Sequence, residues 1–239
     1  MARSKYLDDQ GIDIARGLVL GVSCVNKFGY HGSDVTASSV ETVWDGNGTT
    51  EIMPYPAAGV ITVSDNTDDT GENVVIEGLD ANYNLQSETV AVGGTGTLTF
   101  SRVFRAFMES TDNFSAVGIN QGGSFTALIA AGLGQTQMAV YTIPAGKMGF
   151  LTKIHGSSDR STGNPAVQFR LKVREFGSIF RIKGTYGTAG GNQFDYEYEV
   201  PLMFDEKSDI RIDVLADAAV KCGAIFDLKL VDKAPVNQV

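Results

Sequence analysis

Ala166-Val167-Gln168-Phe169-Arg170-Leu171-Lys172-Val173-Arg174 places an apolar side chain at every second position and a polar or charged one between. The same alternation recurs after Pro165 as far as Val231: Phe194, Tyr196, Tyr198 and Val200 interleave with Asp195, Glu197 and Glu199. Ile210, Ile212 and Val214 interleave with Arg211 and Asp213, and Phe226, Leu228 and Leu230 with Asp227 and Lys229. A period of two sends successive side chains to opposite faces of a strand, so each segment reads as half-buried antiparallel β. Several such strands in succession predict an all-β fold: an antiparallel, jelly-roll-like β-sandwich, wet outside and dry inside. The regularity comes with no accompanying catalytic set.

The chain has 239 residues, 43% of them hydrophobic, enough for a full-sized core without a disulfide or metal staple. Its 28 glycines and few prolines suit tight turns between strands. A net charge of −9 argues against a nucleic-acid surface, which needs clustered Lys and Arg. No segment reaches the ~20 apolar residues of a membrane span. Gly17 to Val25 is apolar, but Asp8, Asp9 and Asp13 lie upstream, the run is short, and Gly21 stands where a lipobox has Leu. No signal peptide is read there, and synthesis and retention in a cytoplasm is the expectation. Cys24 and Cys222 fit no metal or redox spacing and read as buried free thiols.

Four regions follow one another. Residues 1–40 show neither period; glycines interrupt apolar patches, and Phe28 and Tyr30 sit in a polar setting. The segment reads either as an irregular N-terminal arm packed on the domain or a neighbour, or as an irregular edge strand of the same domain. Residues 41–108 form a first β region, with strands near 58–63, 74–78, 85–92 and 97–108. In the last, the alternation slips at Arg102-Val103-Phe104, which predicts a β-bulge or a strand that changes sheets. Residues 109–136 read as a connecting segment in which Phe125 to Ala131 suits strand or helix equally. Residues 137–239 form a second β region, one body with the first or a separate lobe. Its best pairing is a hairpin of 178–186 with 193–200, setting Arg181 and Lys183 opposite Asp195, Glu197 and Glu199.

Motifs for chemistry are sparse. His31 and His155 are the two histidines, and neither has a second histidine at metal-ligand spacing, so the His-x-His pair of a cupin metal site is missing. His155 reads as a strand-end residue before a turn, Gly156 to Asp159. Asp69-Thr70-Gly71 matches the triplet of aspartic proteases, but polar neighbours make it a turn. The acidic loop Asp65 to Glu72 clusters oxygens as calcium loops do, without the EF-hand pattern; a solvated turn is the reading preferred to a weak calcium site. No nucleophile elbow or P-loop occurs, and no catalytic, cofactor or metal residue is assigned. The residues assigned to a partner interface are Phe28, Tyr30 and Trp44, aromatic groups in a stretch without a core period; packing within their own domain is the alternative. Trp44, the only tryptophan, could also stack on a sugar.

Several stretches resemble a family of virion structural proteins of tailed bacteriophages: Ser23-Cys24-Val25-Asn26-Lys27-Phe28-Gly29, Val43-Trp44-Asp45-Gly46, Gly78-Leu79-Asp80-Ala81-Asn82-Tyr83 with Leu85 to Val90, and Tyr141-Thr142-Ile143-Pro144-Ala145-Gly146-Lys147. Each is a fold signature and carries no reaction. The resemblance implies a non-enzymatic capsid decoration (cement) protein on the virion surface, without cofactor. Its implied partners are a major capsid protein and further copies of itself in a symmetric oligomer such as a trimer, with neither nucleic acid nor membrane among them. A tail, collar or head-fibre component that binds a receptor or carbohydrate is the alternative.

Overall fold

The computed structural model describes residues 10–64, 67–159 and 164–233. A short helix, α1 (Gln10–Ala15), precedes sixteen strands. In chain order they are β1 (Val22–His31), β2 (Val40–Thr42), β3 (Gly59–Val63), β4 (Asn73–Leu79), β5 (Leu85–Ala91), β6 (Thr95–Phe100), β7 (Arg102–Met108) and β8 (Val117–Gln121). Then follow β9 (Ser124–Ile129), β10 (Val140–Thr142), β11 (Lys147–Ser158), β12 (Ala166–Arg174), β13 (Arg181–Ala189), β14 (Gln193–Phe204), β15 (Asp209–Ala216) and β16 (Cys222–Asp232).

The opening stretch of the analysis is β12, whose Val167, Phe169, Leu171 and Val173 are buried while their neighbours are not. β16 does the same with Cys222, Ala224, Phe226, Leu228 and Leu230. One sheet runs β1-β16-β11-β14 and the facing one β10-β15-β12-β13, with β2 also on β15. β10 holds one end of β15, Val140 facing Arg211, and β2 the other, Thr42 facing Asp213. Between them Val43 N donates to Ile212 O at 2.9 Å, Ile212 N to Ala139 O at 3.1 Å and Ala139 N to Val43 O at 3.0 Å. β2 and β10 therefore occupy a single strand position, and the eight positions follow jelly-roll order, changing sheet at every step except that from β12 to β13. Phe169, Phe226, Leu151, Ile154, Ile212 and Leu228 fill the space between the sheets. Each contributes about 1.5–3 kcal/mol by leaving water.

Everything between β2 and β10 is an inserted lobe. Its sheets, β6-β3-β8-β9 and β5-β4-β7, enclose a second core around Trp44, Ile61, Ile76, Phe100, Ile119 and Ile129. The body is thus built from both ends of the chain, which revises the division at residues 40, 108 and 136. Residues 22–31 are the ten-residue edge strand β1, paired with β16 throughout, so no free arm exists among residues 10–40. The first nine residues lie outside the described part.

The slip at Arg102-Val103-Phe104 marks a change of sheet, one of its two expected meanings: residues 97–108 fall in β6 and β7, which belong to different sheets. The chain changes sheet at Ser101, whose hydroxyl donates to Asp80 O at 2.5 Å and whose N–H donates to Leu79 O at 2.8 Å. Gly78 sits beside this corner, where any Cβ would collide with Arg102 O. The expected connection 109–136 is a correction of a different kind, because β8 and β9 form a hairpin of the lobe. Its turn, Gly122-Gly123, has φ of 54° and 84°, the left-handed pair that a two-residue hairpin loop demands.

A second pairing also differs. β13 pairs with β12 and β14 with β11, so the expected hairpin between them is absent, and the loop Gly190 to Asn192 crosses from sheet to sheet. Lys153 of β11, at 2.9 Å from Asp195 and 3.6 Å from Glu197, takes the partner role expected of Arg181 and Lys183.

Candidate interaction surface

Of the three aromatic residues assigned to a partner, Trp44 is 0% exposed. It packs on Phe125 with ring centroids 5.9 Å apart, and its Nε1 donates to Thr50 O at 3.1 Å. A side chain so enclosed cannot meet a partner or a sugar; Trp44 is the anchor of the lobe. Tyr30 is half-buried on β1, and its hydroxyl donates to Asp159 Oδ2 at 3.0 Å. Burial and that hydrogen bond push the phenol up to about 12. Phe28, also half-buried, lines a cleft of about 740 Å³ between β1 and the lobe strands β5 and β7.

That cleft holds Lys27, 8% exposed, with its Nζ donating to Phe104 O at 2.5 Å. Burial, helped by the nearby Arg105 guanidinium, drives the amine down to about 7; Glu77 and Asp45 pull the other way. Burial likewise raises the Asp45 carboxyl well above its ordinary range, although Gln137 N donates to its Oδ2 at 2.7 Å.

An accessible apolar surface lies elsewhere, on the side of the sandwich bounded by β13 and β14. Among the described residues both strands are sheet edges, with one row of backbone groups unpaired by another strand. They meet through Tyr186 and Phe194, stacked 3° from parallel at 5.1 Å, with Tyr198 touching the Tyr186 hydroxyl and Tyr196 edge-on to Tyr198 at 4.9 Å. Beyond these rings the apolar pattern continues into water. Val200 is 79% exposed, and Ile182, Tyr196 and Met203 are about half so. The sequence periodicity was right about which residues share a face. What it could not show is the register shift of β14 against β11 between Glu197 and Leu202, within which Val200 lies. The opposite side of the sandwich, with β1, β2 and β10, carries the lobe instead.

Lobe and body are joined by charges that the alternation assigned to solvent. Asp213 is 0% and Arg211 6% exposed. Lys172 Nζ and Arg211 Nε each lie 3.0 Å from Asp213, and Thr42 Oγ1 donates to it at 3.0 Å. Asp209 receives Arg102 from the lobe at 2.7 Å, Arg174 at 2.5 Å and Thr142 at 2.6 Å. Tyr55 is sandwiched between Arg102 and Arg174, 5.2 and 4.6 Å away, and Arg211 lies 4.2 Å from the Phe180 ring. The outer face of β15 is therefore an internal seam.

The remaining motif residues have local duties. Asp69 is buried and accepts from Phe114 N at 2.7 Å and Ser115 N at 3.1 Å; Glu72 accepts from Ser110 at 2.8 Å. These carboxylates clamp the 110–115 loop, while Asp65 and Asn66 lie outside the described residues. His155 is within β11, not at its end, 3.9 Å from Asp195. Cys222 is buried as expected and its thiol is pushed up to about 12 by burial, whereas Cys24 is exposed; both are free. His31, Glu41 and Glu51 converge where β1 ends. Their spacings of ten residues match no local motif, so only the pairing of distant strands reveals the group.

Among the described residues no helix is long and apolar enough to cross a membrane. No protein-family model matches the chain, and no curated protein matches it. Among solved structures it is similar to that of the Gt strain of infectious bursal disease virus, at 11% identity and TM-score 0.27, over 89% of this chain and 73% of that one. The VP2 subviral particle of infectious bursal disease virus gives 10% identity and TM-score 0.23, over 90% and 73%. Likeness at that level carries no argument about function.

Proposed function

We propose that this chain is a structural protein of a virus particle that works by binding, without turnover. Within that reading it is a tailed-bacteriophage capsid decoration protein, seated on the outside of a shell built by a major capsid protein. The observation that carries the proposal is the open side of the sandwich. Unpaired strand edges with exposed apolar side chains are templates for association, and soluble proteins normally cover or charge them. Here one side of the jelly roll is shielded by the lobe, while β13 and β14 are uncovered and expose Ile182, Tyr196, Val200 and Met203 among their charged residues. The family resemblance of 23–29, 43–46, 78–90 and 141–147 supports a virion setting, and jelly rolls recur in capsid shells, though also in lectins and cupins.

A symmetric oligomer closing through these edges would present several copies of the lobe to the shell, so that weak contacts add by avidity. Binding the assembled shell and not its free subunits would stabilise it by mass action. The test is localisation on the parent particle by gold-labelled antibody, together with Val200→Lys and Tyr196→Lys chains. Gold over the heads, with loss of both self-association and head binding in the variants at unchanged melting temperature, is the expected result. Gold confined to tails or one vertex would replace decoration with a fibre or receptor role. Variants that associate like the parent chain would remove β13 and β14 from the interface.

A further inference from the structure

We infer that His31, Glu41 and Glu51 form a binding site for a divalent metal ion of the zinc class, at the root of the inserted lobe. The donor atoms of the three side chains lie within 4.8 Å of one another. They come from three places: His31 ends β1, Glu41 is the middle residue of β2, and Glu51 lies in the loop leading into the lobe.

Each donor is aimed by a neighbour. Ser33 O lies 2.8 Å from His31 Nδ1 and can only accept a hydrogen bond, so Nδ1 carries a proton and the ring is held with Nε2 toward Glu41. Ser33 is itself held, its N–H and hydroxyl donating to Asn47 Oδ1 at 3.3 and 3.0 Å. Thr36 N donates to Glu41 Oε1 at 2.7 Å, which turns Oε2 toward the imidazole. Glu51 is fixed through its backbone, its carbonyl accepting from Thr42 N at 2.8 Å. A backbone-anchored imidazole beside carboxylates is how proteins orient ligands to zinc.

His31 and Glu41 are both 0% exposed. His31 Nε2 and Glu41 Oε2 approach to 2.6 Å, yet neither atom has a hydrogen-bond partner of acceptable alignment. Two such groups in a dry site need positive charge between them, which either a proton on Nε2 or a metal ion supplies.

Ligands about 2.0–2.1 Å from a tetrahedral zinc stand roughly 3.3 Å apart, so the 2.6 Å pair must open by under 1 Å. The mixed imidazole–carboxylate set suits zinc better than calcium or magnesium, which take oxygen alone. Exposure of Glu51 leaves room for water as the fourth ligand. Bound there, the ion would tie β1, β2 and the 44–51 loop together.

The experiment uses the full chain, stripped with chelator and dialysed against zinc, with metal counted per chain and melting followed by calorimetry. One zinc per chain is expected, with a melting rise of about 5–10 °C at a hundredfold excess over Kd. Glu51→Gln, at an exposed position, should leave the metal-free melting temperature unchanged and weaken zinc binding at least ~10-fold. His31→Gln should remove the visible absorption bands of the cobalt-loaded protein. Failure of the parent chain to retain zinc overturns the inference. So does equal affinity in Glu51→Gln, or competition by equimolar calcium, either of which moves the ion to another site. None of these readouts depends on capsid binding.

Discussion

Lys27→Met should change how stability depends on pH. The Lys27 amine titrates near 7 in the folded chain, against an ordinary 10.5. Between those values the unfolded chain holds the proton and the folded chain does not, so stability must rise with pH across that window. The slope approaches about 1.4 kcal/mol per pH unit, and integrating both titrations from pH 7.5 to 9 gives about 2 kcal/mol. Below 7 both forms are protonated and this contribution to the slope vanishes. Methionine keeps the buried stem but cannot take a proton, so the variant should lack the rise. The buried Cys222 thiol titrates late in both proteins and cancels in the comparison. Measurements stop at pH 9 because the raised phenols of Tyr55, Tyr141 and Tyr198 add the opposite slope beyond it. The assay is guanidinium unfolding of both chains at half-unit steps. Stability curves that stay parallel within roughly 0.5 kcal/mol would refute the reasoning, because a solvated or well-paired amine has no such window.

Three further outcomes are expected. Trp44→Ala should cost about 3–5 kcal/mol in chemical denaturation, as loss of a fully buried ring does, and leave exposed edges such as Val200 unaffected. Asp209→Ala strands Arg102 and Arg174 in the seam and should cost about 3–5 kcal/mol. Calorimetry should then split one transition into two as lobe and body uncouple. Gly29→Ala drives a methyl group against Val43 O and Ala139 N where β1 passes over the split strand. A loss of about 1–3 kcal/mol, read by thermal melting, is the expected cost of such overpacking.

Where one face of a strand is buried and the other wet, the sequence was legible. β12 and β16 appear in it almost residue for residue because their alternation has one physical cause. β15 shows the limit. Arg211 and Asp213 alternate correctly with Ile210, Ile212 and Val214, yet both faces are buried, because the second is covered by Tyr55 and Phe180 from distant loops. Local pattern cannot tell a charge in water from one in a satisfied network. The hairpin β8–β9 was missed although Gly122-Gly123 marked its turn, since the flanking Asn120, Gln121 and Ser124 hid the strand period. β13 and β14 were expected to pair across the Gly-rich stretch Gly187 to Asn192, but a short loop suits a hairpin and a sheet crossing equally. The candidate interaction side was half-legible, its aromatic stripe visible and its exposure not. Trp44 failed as a contact for the same reason as β15: the core that encloses it is drawn from residues 53 to 140.

The strand position shared by β2 and β10 sets an order of folding. Val43 and Ala139 are neighbours in space and 96 residues apart in the chain. Bringing them together from an unfolded intervening segment costs about 4 kcal/mol of loop closure, from (3/2)RT ln n. The lobe has its own core and its own short-range hairpins, β4–β5 and β8–β9. If it forms first, it delivers the two half-strands side by side, and β15 meets a ready-made edge instead of two distant ends. The jelly roll would then be templated by its insertion, with its final strands arriving last from the ribosome onto a partner already assembled.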